Sequence, residues 1–194
     1  MDTGELGRTG DALRLRRPEL LESRLAYRGG LIKVRVDRLA LPGGREFERE
    51  VVDHPGAVVV VALDDQDRIV LAHQYRHALG TELLELPAGL LESGEDALEA
   101  AQRELREEAG LEAHRWDHLG AFYSSPGFVH ELLQAFLARD LVKVERNLDL
   151  DEDIELEWVP RTALVHTPTI VEDGKTLAAV MLTEALLRAE RAAS

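Results

Sequence analysis

The chain has 194 residues, enough for one domain with a sizeable core and a small appendage. Its formal net charge of -14 argues against electrostatic binding to nucleic acid, and with no cysteine it has neither a disulfide framework nor a thiol nucleophile. No apolar run approaches the roughly 18 residues of a membrane span, and Met1-Asp2-Thr3-Gly4-Glu5 lacks the basic and apolar regions of a secretory signal, so no membrane association and a cytoplasmic location are expected.

Residues 1–18 are polar, with Gly4, Gly7 and Gly10 and no apolar periodicity, and read as a disordered tail. Across 31–41, Ile32, Val34 and Val36 alternate with Lys33, Arg35 and Asp37, the period of a strand. Pro42-Gly43-Gly44 turns the chain into a second strand over 46–52. A two-stranded ribbon is marginal alone, so residues 19–54 are read as a ribbon that needs another surface. The main domain then covers 55–194. The almost wholly apolar run 57–63 predicts a buried strand, Asp64-Asp65-Gln66-Asp67 a turn, and 69–75 a second strand, the two forming the centre of the sheet. A helix is predicted over 94–109, with Ser93 and Asp96 at its capped start and Gly110 at its stop. Further strands are expected over 120–124, 132–138 and 154–159. A final helix over 176–191 carries Leu177, Val180, Met181, Leu186 and Leu187 onto the sheet.

Chemistry concentrates around the 94–109 helix. Glu104, Glu107 and Glu108 fall within an arc of roughly 100° on it, because neighbours three and four apart share a face. Three like charges repel unless cations neutralise them, and such hard oxygen donors suit Mg²⁺ or Mn²⁺ rather than zinc. Ala97, Leu98, Ala101 and Leu105 occupy the adjoining face, which puts the carboxylates at the border of the core. Arg103 precedes Glu107 by four residues and is placed to hold a carboxylate by an ion pair. His73 and His77 lie on a predicted strand, where four residues span about 13 Å, too far to share an ion. Trp116, Tyr123 and Phe128 are suited either to stacking on a base or to packing.

From Gly89 to Leu111 the spacing is Gly, five residues, Glu95, seven residues, then Arg103-Glu104-Leu105-Arg106-Glu107-Glu108-Ala109-Gly110-Leu111. This stretch resembles the box of the Nudix hydrolases, matching its fixed positions and its two aliphatic ones. The resemblance implies an α/β/α sandwich around a mixed β-sheet, and hydrolysis of a nucleoside diphosphate linked to another group. It also implies Glu104 and Glu108 as metal ligands, Glu107 as a further ligand or support, Gly89 as the turn into the loop, and Arg103 as the residue orienting the glutamates.

The flanks resemble the ADP-ribose pyrophosphatase branch: Leu84-Glu85-Leu86-Pro87-Ala88-Gly89 ahead of the box, Gln74-Tyr75-Arg76-His77, and Ser125-Pro126-Gly127 beyond it. That likeness implies Mg²⁺-dependent cleavage of ADP-ribose to AMP and ribose 5-phosphate, a homodimer exchanging the amino-terminal ribbon, and the carbonyl of Ala88 as a metal ligand. Arg76 would hold the substrate's phosphates, and Glu85, Gly89, Ser125, Pro126 and Gly127 would line the substrate. A glutamate before a late strand would act on the attacking water. Glu152 is the choice in Leu150-Asp151-Glu152-Asp153-Ile154-Glu155, with Asp151, Asp153 and Glu155 as alternatives. Another nucleotide sugar or a dinucleotide is the alternative substrate; a non-catalytic nucleotide sensor is a third reading.

Overall fold

A computed structural model describes residues 17–148 and 153–193, and the chain divides into two compact units, 1–53 and 54–194. Most of the tail read as disordered, and Glu152, lie outside the described residues.

The first unit is an antiparallel ribbon of three strands: β1 (Glu19–Arg28), β2 (Lys33–Ala40) and β3 (Glu46–Asp53). Two strands were expected, and β1 is the addition. Its pairing with β2 shifts register between Leu20 and Glu22 and again between Leu25 and Tyr27. Each such irregularity breaks the two-residue period by which a strand is read from sequence. Asp37, buried on β2, accepts from the Ser23 hydroxyl at 2.6 Å and pairs with Arg35, which also reaches Asp53 at 3.2 Å. These bonds tie all three strands. Leu20, Leu21, Leu25 and Tyr27 on β1 stay exposed.

The second unit holds two sheets. One, in the order β7-β4-β10-β8, joins Ala88–Leu90, Ala57–Ala62, Leu132–Lys143 and Leu111–Tyr123; the other, β11-β5-β6, joins Ile154–Pro160, Arg68–Arg76 and Thr81–Glu85. A short strand, β9 (Val129–His130), precedes β10. The 57–63 and 69–75 runs were expected to centre a single sheet. Instead β4 lies inside the first and β5 inside the second, joined by the bridge Leu63 to Ile69. β10 runs parallel to β4 and antiparallel to β8, so the first sheet is mixed.

Alternation along β4 sets the layers. Val58, Val60 and Ala62 pack with Ala101, Leu105 and Ala109 of helix α1 (Ala97–Ala109), whereas Val59, Val61 and Leu63 pack with Ala179 and Val180 of helix α3 (Gly174–Ala193). Successive side chains of a strand point to opposite faces, so a run buried on both sides calls for a helix on each. The result is the expected α/β/α arrangement. Val58 to Val61 are fully buried, each contributing about 1.5–3 kcal/mol of transfer free energy. A short helix not foreseen, α2 (Arg161–His166), places buried Arg161 against Asp67 at 2.6 and 2.8 Å and against Glu184. Among the described residues no helix is long and apolar enough to cross a membrane.

Candidate active site

Helix α1 begins at Ala97, three residues later than expected. Asp96 alone caps it, accepting from Leu98 N–H at 2.8 Å, so Ser93 is not its cap. Gly110 ends it as anticipated, in the left-handed region at φ 62° with its N–H on the Arg106 carbonyl. Between these ends Leu105 is fully buried, and Glu104 and Glu108 are buried beside it at 7% and 4% exposure. Glu107 is half-buried. Burying carboxylates is costly without partners, and the loop before the helix supplies them.

That loop folds onto the helix through Ala88 and Gly89. Ala88 N–H donates to Glu108 Oε2 at 2.9 Å, while β7 pairs Ala88 with Val59 and Gly89 with Val58. A Cβ built on Gly89 would overlap the Glu104 carboxylate. A side chain at this position would have to push the end of Glu104 aside, so the absence of a Cβ allows the loop and the helix carboxylate to approach closely.

Arg103 organises the remainder. Its Nη1 donates to Glu104 at 2.7 Å and Glu107 at 3.1 Å, its Nε and Nη2 to Glu95 at 2.9 and 3.1 Å, and its Nη2 to the Leu90 carbonyl at 3.0 Å. The Glu95 bond, with those to Glu104 and Glu107, pushes the guanidinium above its ordinary value, and Arg103 in turn holds the Glu95 carboxyl below the usual carboxylate range. The Glu107 pair was foreseen; the grip on Glu95 and Glu104 adds to it. One consequence alters the expected arc of three glutamates: Arg103 stands between Glu104 and Glu107, and among the described residues no three Asp, Glu, His or Cys side chains converge on one point. The donor set nonetheless fits a hard divalent cation, since the Glu104, Glu107 and Glu108 carboxylates and the Ala88 carbonyl offer only oxygen, with Glu104 set against Gly89 and Glu108 against the Ala88 N–H.

Arg76 forms a second cluster. Its Nε and Nη2 fork onto Glu85 Oε1 and Oε2 at 2.8 and 2.6 Å, and Glu85 is 2% exposed. Lys175, at the start of α3, also donates to Glu85 Oε2. Sequence reasoning missed Lys175, although Asp173-Gly174-Lys175-Thr176 is a recognisable helix start. The bond to Glu85 outweighs burial and raises the Arg76 guanidinium, with smaller charge contributions from Glu85, Glu108 and Asp173.

Ser125, Pro126 and Gly127 form a local turn after β8, closed by the Ser125 carbonyl accepting from Phe128 N–H at 3.2 Å and Val129 N–H at 3.0 Å. Phe128 is 57% exposed, and Tyr123, also exposed, stacks on His130. Trp116 instead packs edge-on to Phe136 and donates to the Ala113 carbonyl. His73 bonds Glu157 at 2.9 Å from β5, and His77, expected on the same strand, lies just beyond its end.

A NUDIX domain model matches residues 53–180. The chain is similar to the ADP-ribose pyrophosphatase of Bacillus subtilis (strain 168), at 40% identity over 168 residues covering 82% of this chain and 90% of that one. It is equally similar to the methanol dehydrogenase activator of Bacillus methanolicus, 40% identical over 167 residues with the same coverage. A crystal structure of an ADP compounds hydrolase superposes with a TM-score of 0.81 over 92% of this chain and 98% of its own, at 24% identity, which establishes a common fold. The extent of the domain match and the near-full-length relatives leave one conclusion: this chain belongs to the Nudix hydrolase family.

Proposed function

We propose that the chain hydrolyses the pyrophosphate bond of ADP-ribose, releasing AMP and ribose 5-phosphate, with Mg²⁺ as the cation and Mn²⁺ as a substitute. The observation that carries this reading is the fold of Ala88-Gly89 against buried Glu104 and Glu108, with Arg76 held on Glu85, three residues ahead of Ala88. The similarity to the Bacillus subtilis ADP-ribose pyrophosphatase supports the choice of substrate.

Glu104, Glu108, the Ala88 carbonyl and Glu107 would hold the cation, and Arg103 restrains Glu104 and Glu107 until then. A bound cation neutralises the diphosphate and lowers the pKa of a water. Arg76, fixed by Glu85, presents the rest of its guanidinium fork to phosphate oxygens, a geometry for which arginine is better shaped than lysine. Glu152 would orient that water or take its proton. A new bond from water oxygen to phosphorus then forms as the bridging P–O bond breaks. Ser125, Pro126 and Gly127 line the sugar or base side of the substrate. In a chain of net charge -14 such local cations are needed to draw an anionic substrate.

We further assign residues 19–54 to dimerisation and 55–194 to the hydrolase domain, in a cytoplasmic homodimer. Exposed Leu20, Leu21, Leu25 and Tyr27 on β1 support an interface there. Initial rates across ADP-ribose, ADP-glucose, GDP-mannose and a dinucleotide test the substrate; ADP-ribose ranking well below another would overturn it. Hydrolysis in ¹⁸O-labelled water then locates the attacked phosphorus, and chelation of divalent cations is expected to abolish turnover.

A further inference from the structure

The segment that delivers Ala88 to the site passes first through Glu85 and Leu86, and the start of α3 grips both. Lys175 Nζ donates to Glu85 Oε2, the same oxygen that Arg76 Nη2 reaches at 2.6 Å, and to Asp173 Oδ2 at 3.1 Å. Leu86 N–H donates to Thr176 Oγ1 at 2.9 Å, whose hydroxyl donates to Asp173 Oδ2 at 2.6 Å. Asp173 Oδ2 also accepts Thr176 N–H at 3.0 Å. The bonds close a circuit from Arg76 through Glu85, Lys175, Asp173 and Thr176 back to Leu86. Glu85, Leu86 and Thr176 are at most 2% exposed, while the Arg76 side chain is 38% and that of Lys175 17% exposed.

The charged groups of this circuit, Arg76 and Lys175 against Glu85 and Asp173, sum to zero, so it acts on Arg76 through geometry rather than net charge. A buried carboxylate with a single half-exposed partner is free to turn, and any turn swings the guanidinium it holds. The second donor removes that freedom.

We propose that Lys175 is a positioning residue for phosphate recognition: it pins Glu85 to the first turn of α3 and so fixes the orientation of the Arg76 guanidinium towards the substrate's diphosphate. This rests on the phosphate-binding role proposed for Arg76. Lys175 touches Glu85 rather than substrate, so its loss acts on binding more than on the chemical step.

The experiment compares the full chain with Lys175→Met and Lys175→Arg for KM and kcat on ADP-ribose with Mg²⁺, beside the Tm. The expected result is a KM raised about tenfold in Lys175→Met, the size of one charge-assisted hydrogen bond, with kcat within about twofold and recovery in Lys175→Arg. An unchanged KM, or a fall confined to kcat, overturns the proposal. If Lys175→Met fails to fold, Lys175→Gln takes its place. The second readout needs no substrate: the Arg76 Nε–H resonance, assigned through Arg76→Lys, is expected to be sharp in the unmodified chain and in Lys175→Arg and exchange-broadened in Lys175→Met. A resonance indifferent to Lys175 overturns the inference whatever the substrate, whereas an unmodified enzyme inactive on ADP-ribose overturns only the substrate reading.

Discussion

Gly89 shows how narrowly one position is constrained. Its missing side chain admits the Glu104 carboxylate, so Gly89→Ala is expected to push that carboxylate aside at about 0.5–1.5 kcal/mol, the cost of an off-rotamer side chain. It should also lower kcat/KM about 100-fold, since displacements near 1 Å at a catalytic centre cost that much. Steady-state kinetics beside a melting curve separates the two effects, and a fully active Gly89→Ala would refute the contact. Glu104→Gln and Glu108→Gln keep the volume but remove the charge of cation ligands. Each is expected to lose at least about 100-fold in kcat with near-normal circular dichroism. Helical spacing was enough to nominate Arg103 and the three glutamates, because residues three and four apart on one helix are neighbours whatever else the chain does, whereas Gly89 was nominated by the resemblance to the Nudix box. It could not nominate Lys175, which lies 90 residues from the carboxylate it holds.

Helix α1 depends on its ends. Asp96 satisfies an otherwise unpaired N–H in the first turn, so Asp96→Ala is predicted to cost about 1 kcal/mol and to lower the Tm by roughly 2–4 °C. The same change at Ser93, the cap expected from sequence, should leave the Tm nearly unchanged; calorimetry on the pair checks the assignment. Strand β8 teaches a related lesson. Only its last four residues, 120–123, were legible, whereas the stretch from Leu111 to Leu119 follows directly on the helix stop and mixes His114, Arg115 and Asp117 with apolar residues. Pairing with β10, which supplies the partner for nearly the whole length of β8, makes that stretch a strand; local propensity does not.

Across the molecule, ion pairs between distant segments set the acid limit of stability. Burial pushes the Glu85 carboxyl up, but the hydrogen bond from Arg76 and the charge and hydrogen bond of Lys175 outweigh it and hold the group below its ordinary range. A depressed folded-state value means that the contribution is complete above the unfolded value of about 4.3 and disappears as pH falls through the lower folded value. Glu85→Gln is thus expected to lose stability at neutral pH, near the low end of about 3–5 kcal/mol because the Arg76 head is partly screened. The gap in Tm between it and the unmodified chain should close below about pH 4, and a constant gap from pH 7 to 3 would contradict the assignment. Sequence alone determined the features governed by short-range geometry: the acidic face of α1, its glycine stop, the buried run of β4 and the family resemblance carried by 23 consecutive residues. Three features were decided only by tertiary structure. They are the division into two sheets with β10 parallel to β4, the closing of Ala88 and Gly89 onto Glu108 and Glu104, and the clamp of α3 on Glu85. Each depends on which distant segments meet and in what register, and that is chosen by the joint burial of both faces of β4 rather than by any local pattern.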